Sequence, residues 1–216
     1  MINMLLYISL FIILFSYFSY FILIIIGRAK TVGKIIGFNI IKDLISNYES
    51  INIIESRGYF TFYNIKRRVI KLSTKCYYGN DLSSISISLI EAGISVVDDN
   101  HNKYIDLFRN LFSNLKILYI FPILSLLINN LSFSINDAKV SIVMMFLFIF
   151  ISYVVVDVKN TAYLWIIENF NKIKNINKDN SLKIFKFINI LLWLDKFIFF
   201  GEFLIICRLI LILFNF

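Results

Sequence analysis

The feature that most constrains this chain is a set of long stretches with no charged side chain. Met1 to Gly27 is one, and residues 117–136 and 140–156 are two more. A helix needs roughly 20 predominantly apolar residues to cross a hydrocarbon core, with about 17 as the lower limit. A fourth stretch, Phe197 to Phe216, is long enough but contains Glu202 and Arg208. These runs predict four transmembrane helices. Composition agrees: 59% of the 216 residues are hydrophobic, against about 45–50% in a soluble domain. The first run has no basic stretch before it and no small-x-small site after it, and it exceeds the apolar core of a signal peptide. It is expected to stay as an anchor.

The net charge of +8 does not call for nucleic acid, because the basic residues sit in two loops. Residues 28–116 carry 13 Lys/Arg against 8 Asp/Glu, and residues 157–196 carry 7 against 4. The connection between the second and third apolar runs has one of each. Arg28, Lys30, Lys34, Lys103, Arg109 and Lys116 lie near the ends of the apolar runs, where the positive-inside rule applies. Both basic loops are therefore expected in the cytoplasm, with both termini outside. Cys76 and Cys207 are far apart and form no CxxC pair, so neither a disulfide nor a cysteine-based metal site is expected.

The expected fold is a mainly α, multi-pass membrane protein with about four transmembrane helices and a small α+β cytoplasmic domain. Its parts are an anchor at 1–27, the cytoplasmic domain at 28–116 and a transmembrane hairpin at 117–157. A cytoplasmic helical segment at 158–196 and a final crossing at 197–216 complete it. Ile36, Ile40, Ile41, Leu44, Ile45 and Tyr48 mark one face of an amphipathic helix. Residues 59–63 and 69–72 read as short strands joined by a basic connection, Lys66-Arg67-Arg68. Such a run is a solvated turn or a contact for anionic lipid. Residues 82–97 fit two patterns. Ile85, Ile87 and Leu89 alternate as in a strand, while Leu82, Ile85, Leu89, Ala92 and Val96 fit a helix with Asp81 as N-cap. The third apolar run is expected to continue as a helix to about Lys174. Residues 175–181 read as a polar linker, with the last helix starting near Lys183.

Within that ambiguous stretch, Ile90-Glu91-Ala92-Gly93-Ile94 has the spacing of His-Glu-x-x-His. In that motif two histidines four apart on one helical face hold zinc, and the glutamate between them acts as base on the metal-bound water. Here the base position is filled and both ligand positions are isoleucine. Taken with Val69-Ile70-Lys71-Leu72-Ser73 and Tyr77-Tyr78-Gly79-Asn80, the chain resembles the bacterial YugP-like membrane neutral zinc metallopeptidases over nearly its full length. That family has one anchor, a strand pair, a Tyr-Gly-Asn stretch, a His-Glu-Val-Gly-His-Ala helix, two crossings and a final membrane helix. The resemblance favours helix for 82–97. It maps the general base to Glu91 and the zinc histidines to Ile90 and Ile94. The acidic third ligand maps to Asp157, one methylene shorter than the family's glutamate. Tyr63 and Asn64 fall where the family has a His-Tyr-Asp-Pro turn, with Phe62 and Ile65 in place of its histidine and proline.

The departures decide the chemistry that the resemblance implies. Zinc lowers the pKa of its water from about 15.7 to about 7. A carboxylate base alone supplies about 10²–10⁴-fold, short of the ~10⁶-fold or more that enzymes provide. The expectation is a pseudo-peptidase of the bacterial inner membrane with a binding or regulatory role. No cofactor is expected, and zinc enters only if the resemblance still holds functionally. The lipid bilayer is the expected surrounding, and an active related peptidase or its protein substrates are the expected partners. Two other readings stay open. One is a metallopeptidase with an atypical site using Glu91 and Asp157. The other is a small structural or transport component marked by Glu202 and Arg208, since charges at such depth usually face a helix bundle or wet cavity. Glu91 also reads as an ordinary solvated helix residue, Asp157 as the polar end of a membrane helix, and His101 as a surface residue in a polar loop.

Overall fold

A computed structural model describes residues 2–33, 36–48, 50–58, 61–64, 67–99, 135–173 and 176–213. The fold is mainly helical with one small sheet. The chain divides into two compact units. One comprises Met1–Phe18, Lys103–Val156 and Leu194–Phe216, and the other Ser19–Asn102 and Asp157–Trp193. The expected second crossing, with Lys103, Arg109 and Lys116, lies outside the described residues, as does His101.

The second unit contains the sheet. Strands β1 (Asn52–Ser56), β2 (Phe62–Asn64) and β3 (Val69–Ser73) lie in the order β1-β3-β2. β3 is the centre, parallel to β1 and antiparallel to β2. Its alternation is legible: Ile70 and Leu72 are buried while Lys71 points the other way. Two strands were expected and three are present among the described residues. β1 is the unanticipated one, because Asn-Ile-Ile-Glu-Ser does not alternate and its pairing is with a strand 17 residues on (Asn52 with Val69). Of the strand expected at 59–63, residues 59 and 60 lie outside the described residues, and β2 covers 62–64.

Helix α1 spans Ile2–Arg28 and α2 spans Gly37–Leu44. α2 buries Ile40, Ile41 and Leu44, followed by Ile45, as the amphipathic stripe predicts. A short α3 (Thr74–Tyr78) follows β3 directly, with Ser73 Oγ accepting from the Cys76 N–H. α4 (Leu82–Asp99) settles the ambiguous stretch as helix. Leu82, Ile85, Leu89, Ala92 and Val96 are all buried, four of them completely. Ser83, Ser84, Ser86, Ser88 and Ser95 are buried too, so α4 is enclosed except along the narrow strip of Ile87 and Glu91, which are half-buried. Small serines let neighbours approach while each apolar side chain contributes about 1.5–3 kcal/mol of burial.

Helix α5 runs from Ile135 to Asn169 and ends in a 3-10 turn at Phe170–Lys172, close to the expected end at Lys174. Within the second unit its stripe Val158, Ala162, Ile166, Phe170 is buried at helical spacing. α4 meets this stripe at Gly93, where a Cβ would lie 2.8 Å from the Ala162 carbonyl oxygen and 3.0 Å from its Cβ. Helix α6 (Lys178–Leu213) starts earlier than expected, because Asn177 Oδ1 accepts the Asn180 N–H at 3.0 Å and caps it. It continues without a break through 196–197.

In the first unit the α1 face Ser9, Ile13, Ser16 is buried. Gly201 of α6 packs on it, and a Cβ there would lie 2.6 Å from Ile13 Cγ1. Small residues at such a contact let two helices approach closely. Glu202 and Arg208 are buried, at 9% and 4% exposure. Among the described residues one stretch, Tyr7–Arg28, is long and apolar enough to cross a membrane.

Gly93→Val places two methyl groups against the Ala162 backbone. It is expected to lower stability by about 1–3 kcal/mol, measured by thermal unfolding of the full chain in detergent. An unchanged midpoint would mean that the α4–α5 contact is looser than described.

Candidate functional site

The second unit positions the Ile90–Ile94 segment through the turn that precedes it. At Tyr77-Tyr78-Gly79-Asn80 the chain leaves α3 and ties into residues 30–37. Val32 N–H donates to the Asn80 carbonyl at 2.8 Å, Gly37 N–H to the Gly79 carbonyl at 2.9 Å, and Leu82 N–H to the Lys30 carbonyl at 2.8 Å. Gly79 is required there, since a Cβ would come within 2.1 Å of the Lys75 carbonyl oxygen. Tyr77 stacks on Phe38 with centroids 4.7 Å apart. Asp81 then caps α4, with Oδ1 accepting the Ser84 N–H at 2.8 Å and Oδ2 the Ser84 hydroxyl at 2.6 Å. A carboxylate in this position satisfies otherwise orphan N–H groups at the start of a helix.

In the middle of α4, Glu91 is half-buried and its Oε2 accepts the backbone N–H of Tyr63 at 2.8 Å. β2 is an edge strand, so its outer N–H groups have no strand partner, and Glu91 takes that of Tyr63. Such a charge-assisted bond contributes about 1.5–3 kcal/mol. The two residues are 28 apart in sequence. Sequence reasoning named Glu91 but missed this pairing. The one signal for Tyr63 was its place in the resemblance.

Ile90 and Ile94 are buried at 9% and 4% exposure. Zinc ligands of this kind are imidazole nitrogens about 2.0–2.1 Å from the metal. A sec-butyl side chain has no lone pair, so positions 90 and 94 do not fit the zinc that the resemblance implies. Asp157 is exposed on α5, one residue off the buried stripe, and its carbonyl accepts the Thr161 hydroxyl at 3.0 Å. Among the described residues no group of three or more His, Cys, Asp or Glu side chains is placed to hold a metal ion. The structure therefore brings Ile90, Glu91 and Ile94 together with Tyr63, while the hydrogen bond described for Asp157 is to Thr161 of its own helix.

Two tyrosines of the second unit have shifted acidities. The Tyr78 hydroxyl donates to Glu55 Oε2 at 3.1 Å, and this bond and the carboxylate's charge hold its pKa above the usual 10.0. Partial burial pushes the Tyr163 hydroxyl up as well.

Compared with known protein families, curated proteins and solved structures, the chain matches none.

Removing the Glu91 carboxylate leaves the Tyr63 N–H without its acceptor. Glu91→Ala is expected to cost about 1–3 kcal/mol in chemical or thermal unfolding. Glu91→Gln keeps a carbonyl acceptor and should cost less than half as much. Equal losses in both variants would mean that the charge, not the hydrogen bond, holds the strand.

Because its folded pKa is raised, Tyr78 keeps its proton and its bond to Glu55 below pH 10. The bond is lost as pH rises through the shifted value. A tyrosinate absorbance titration is expected to lose one raised component in Tyr78→Phe and to shift that component down in Glu55→Gln.

Proposed function

We propose that this chain is a four-pass membrane protein that retains a zinc-peptidase-like scaffold without its metal chemistry and acts by binding. The observation that carries the reading is the state of the motif. The carboxylate at the base position accepts a backbone N–H, and the positions on either side of it that would bear zinc ligands are buried isoleucines. Glu91 thereby closes an edge strand onto its helix. Gly93, Gly79 and Asp81 serve packing and capping that a scaffold needs whether or not it catalyses.

The membrane setting is supported by side chains that face outward. On α1, Tyr7, Phe11, Leu14 and Phe18 are more than half exposed. A soluble protein rarely presents so much contiguous apolar surface, whereas lipid accepts it. α5 and α6 have 35 and 36 residues. At about 1.5 Å per residue each is roughly 52–54 Å long, enough to cross a core of about 30 Å and continue beyond it. The concentration of Lys and Arg in residues 28–116 and 157–196 supports a cytoplasmic side for both segments under the positive-inside rule. The partners of this reading are an active related peptidase or its protein substrates.

Metal analysis of the chain purified without chelator tests it. The expected result is a substoichiometric trace of zinc and no peptidase activity on zinc addition. One tightly held zinc per chain would overturn the reading.

A second reading, a structural or transport component, draws on one separate observation. Glu202 and Arg208 are buried within the first unit rather than turned outward. It expects a cellular defect in Arg208→Leu with none in Glu91→Ala, and the reverse pattern would exclude it.

A further inference from the structure

The outer face of the small sheet is not used by anything above. Its central row is set by strand register: Ile54 of β1 beside Lys71 of β3, and Lys71 beside Phe62 of β2. Ile54 and Phe62 are 43% and 42% exposed. Lys71 Nζ lies 5.4 Å from the Phe62 ring centroid, so the charged end of the lysine sits over the exposed ring. The opposite face holds the buried Tyr63 and Ile70. Exposed basic residues stand at the two opposite ends of the parallel strand pair that carries the row, Arg57 just after β1 and Arg67 and Arg68 just before β3. Between positions 52 and 75 there are six basic residues, Arg57, Lys66, Arg67, Arg68, Lys71 and Lys75, against one acid, Glu55. This short segment thus holds five of the chain's eight net positive charges.

We infer that this sheet face docks on the anionic headgroup surface of the membrane that α1 enters. Phe62 and Ile54 enter the boundary between headgroups and acyl chains, where an aromatic and an aliphatic side chain are stable. Arg57, Arg67, Arg68 and Lys71 bind lipid phosphates, with arginine suited to two-point contact with phosphate oxygens. The occupant is an anionic bilayer rather than a protein because the apolar area is small and the charge is strongly one-signed. Two exposed apolar side chains make a poor protein interface core, but a polybasic segment with apolar insertions suffices for a lipid surface.

Tethering makes such a weak patch effective. The proposal rests on reading α1 as a membrane anchor. Residues 19–28 of α1 belong to the same compact unit as the sheet, so the patch meets the leaflet as an intramolecular event at high effective concentration. The physical consequence is orientation: docking would fix which side of the cytoplasmic unit faces the bilayer and which remains open to partners.

The test uses the full chain in nanodiscs of phosphatidylcholine alone or mixed with phosphatidylglycerol, read by amide hydrogen exchange. In mixed discs, exchange at residues 52–56 and 62–64 is expected to slow about tenfold or more. The protection should vanish near ~1 M salt, where the screening length falls to about 3 Å. Replacing Arg67 and Arg68 by Gln should weaken it by roughly fivefold per charge, and Phe62→Ser should reduce it in every lipid. Equal exchange in neutral and anionic discs overturns the proposal, as does protection that requires an added protein. Carbonate extraction separates the two readings. A chain stripped from bilayers defeats the anchor, whereas a chain that stays embedded but shows no lipid-dependent protection defeats only the docking face.

Discussion

The enclosure of α4 is the constraint on which the second unit depends. A helix buried over nearly all of its surface must find partners for its polar groups and let neighbours come close. Serines are small, and Ser95 and Ser88 return their hydroxyls to the Ala92 and Cys76 carbonyls at 2.7 and 3.4 Å, whereas the buried Ser86 hydroxyl has no partner among the described residues. Gly93 allows the Ala162 backbone to approach, and Asp81 closes the N-terminus. β2 then lies along the helix with its edge N–H held by Glu91. Each of these contacts presupposes that α4 is already in place.

The same enclosure explains why the motif residues divide as they do. Ile90 and Ile94 project into packed surroundings, where an aliphatic side chain is favourable and a charged metal centre would need a full set of donors. Glu91 lies at the border, half-buried, where a carboxylate is tolerable only with a donor to accept from. Tyr63 supplies one. A position that would serve as base in a peptidase here joins a helix to a strand. The chemistry at this point follows from the identity of two neighbours more than from the glutamate.

The parts legible in the sequence are those with local causes. The stripe at Ile40, Ile41, Leu44 and Ile45 and the continuation of α5 past Asp157 both follow from spacing along the chain. So does the cap at Asp81. The helix at 82–97 was legible only with the resemblance, because a nearly enclosed helix loses the one-sided pattern that periodicity reads. β1 escaped because its partner is distant and its residues do not alternate. α3 escaped because five residues carry too little pattern. The early start of α6 was hidden in a segment whose asparagines suggest a linker, although Asn177 is the cap.

The sequence by itself determined the long apolar runs, the concentration of positive charge between them, and the isoleucines at positions 90 and 94, which have no lone pair to offer a metal. These follow from side-chain chemistry and need no contact to be known. Only the tertiary structure decided that Glu91 holds Tyr63, that Gly93 meets Ala162, and that Glu202 and Arg208 turn inward. It also decided that Ile54, Lys71 and Phe62 form one row. Those facts join residues far apart in the chain, and local periodicity carries no information about which distant surfaces will meet.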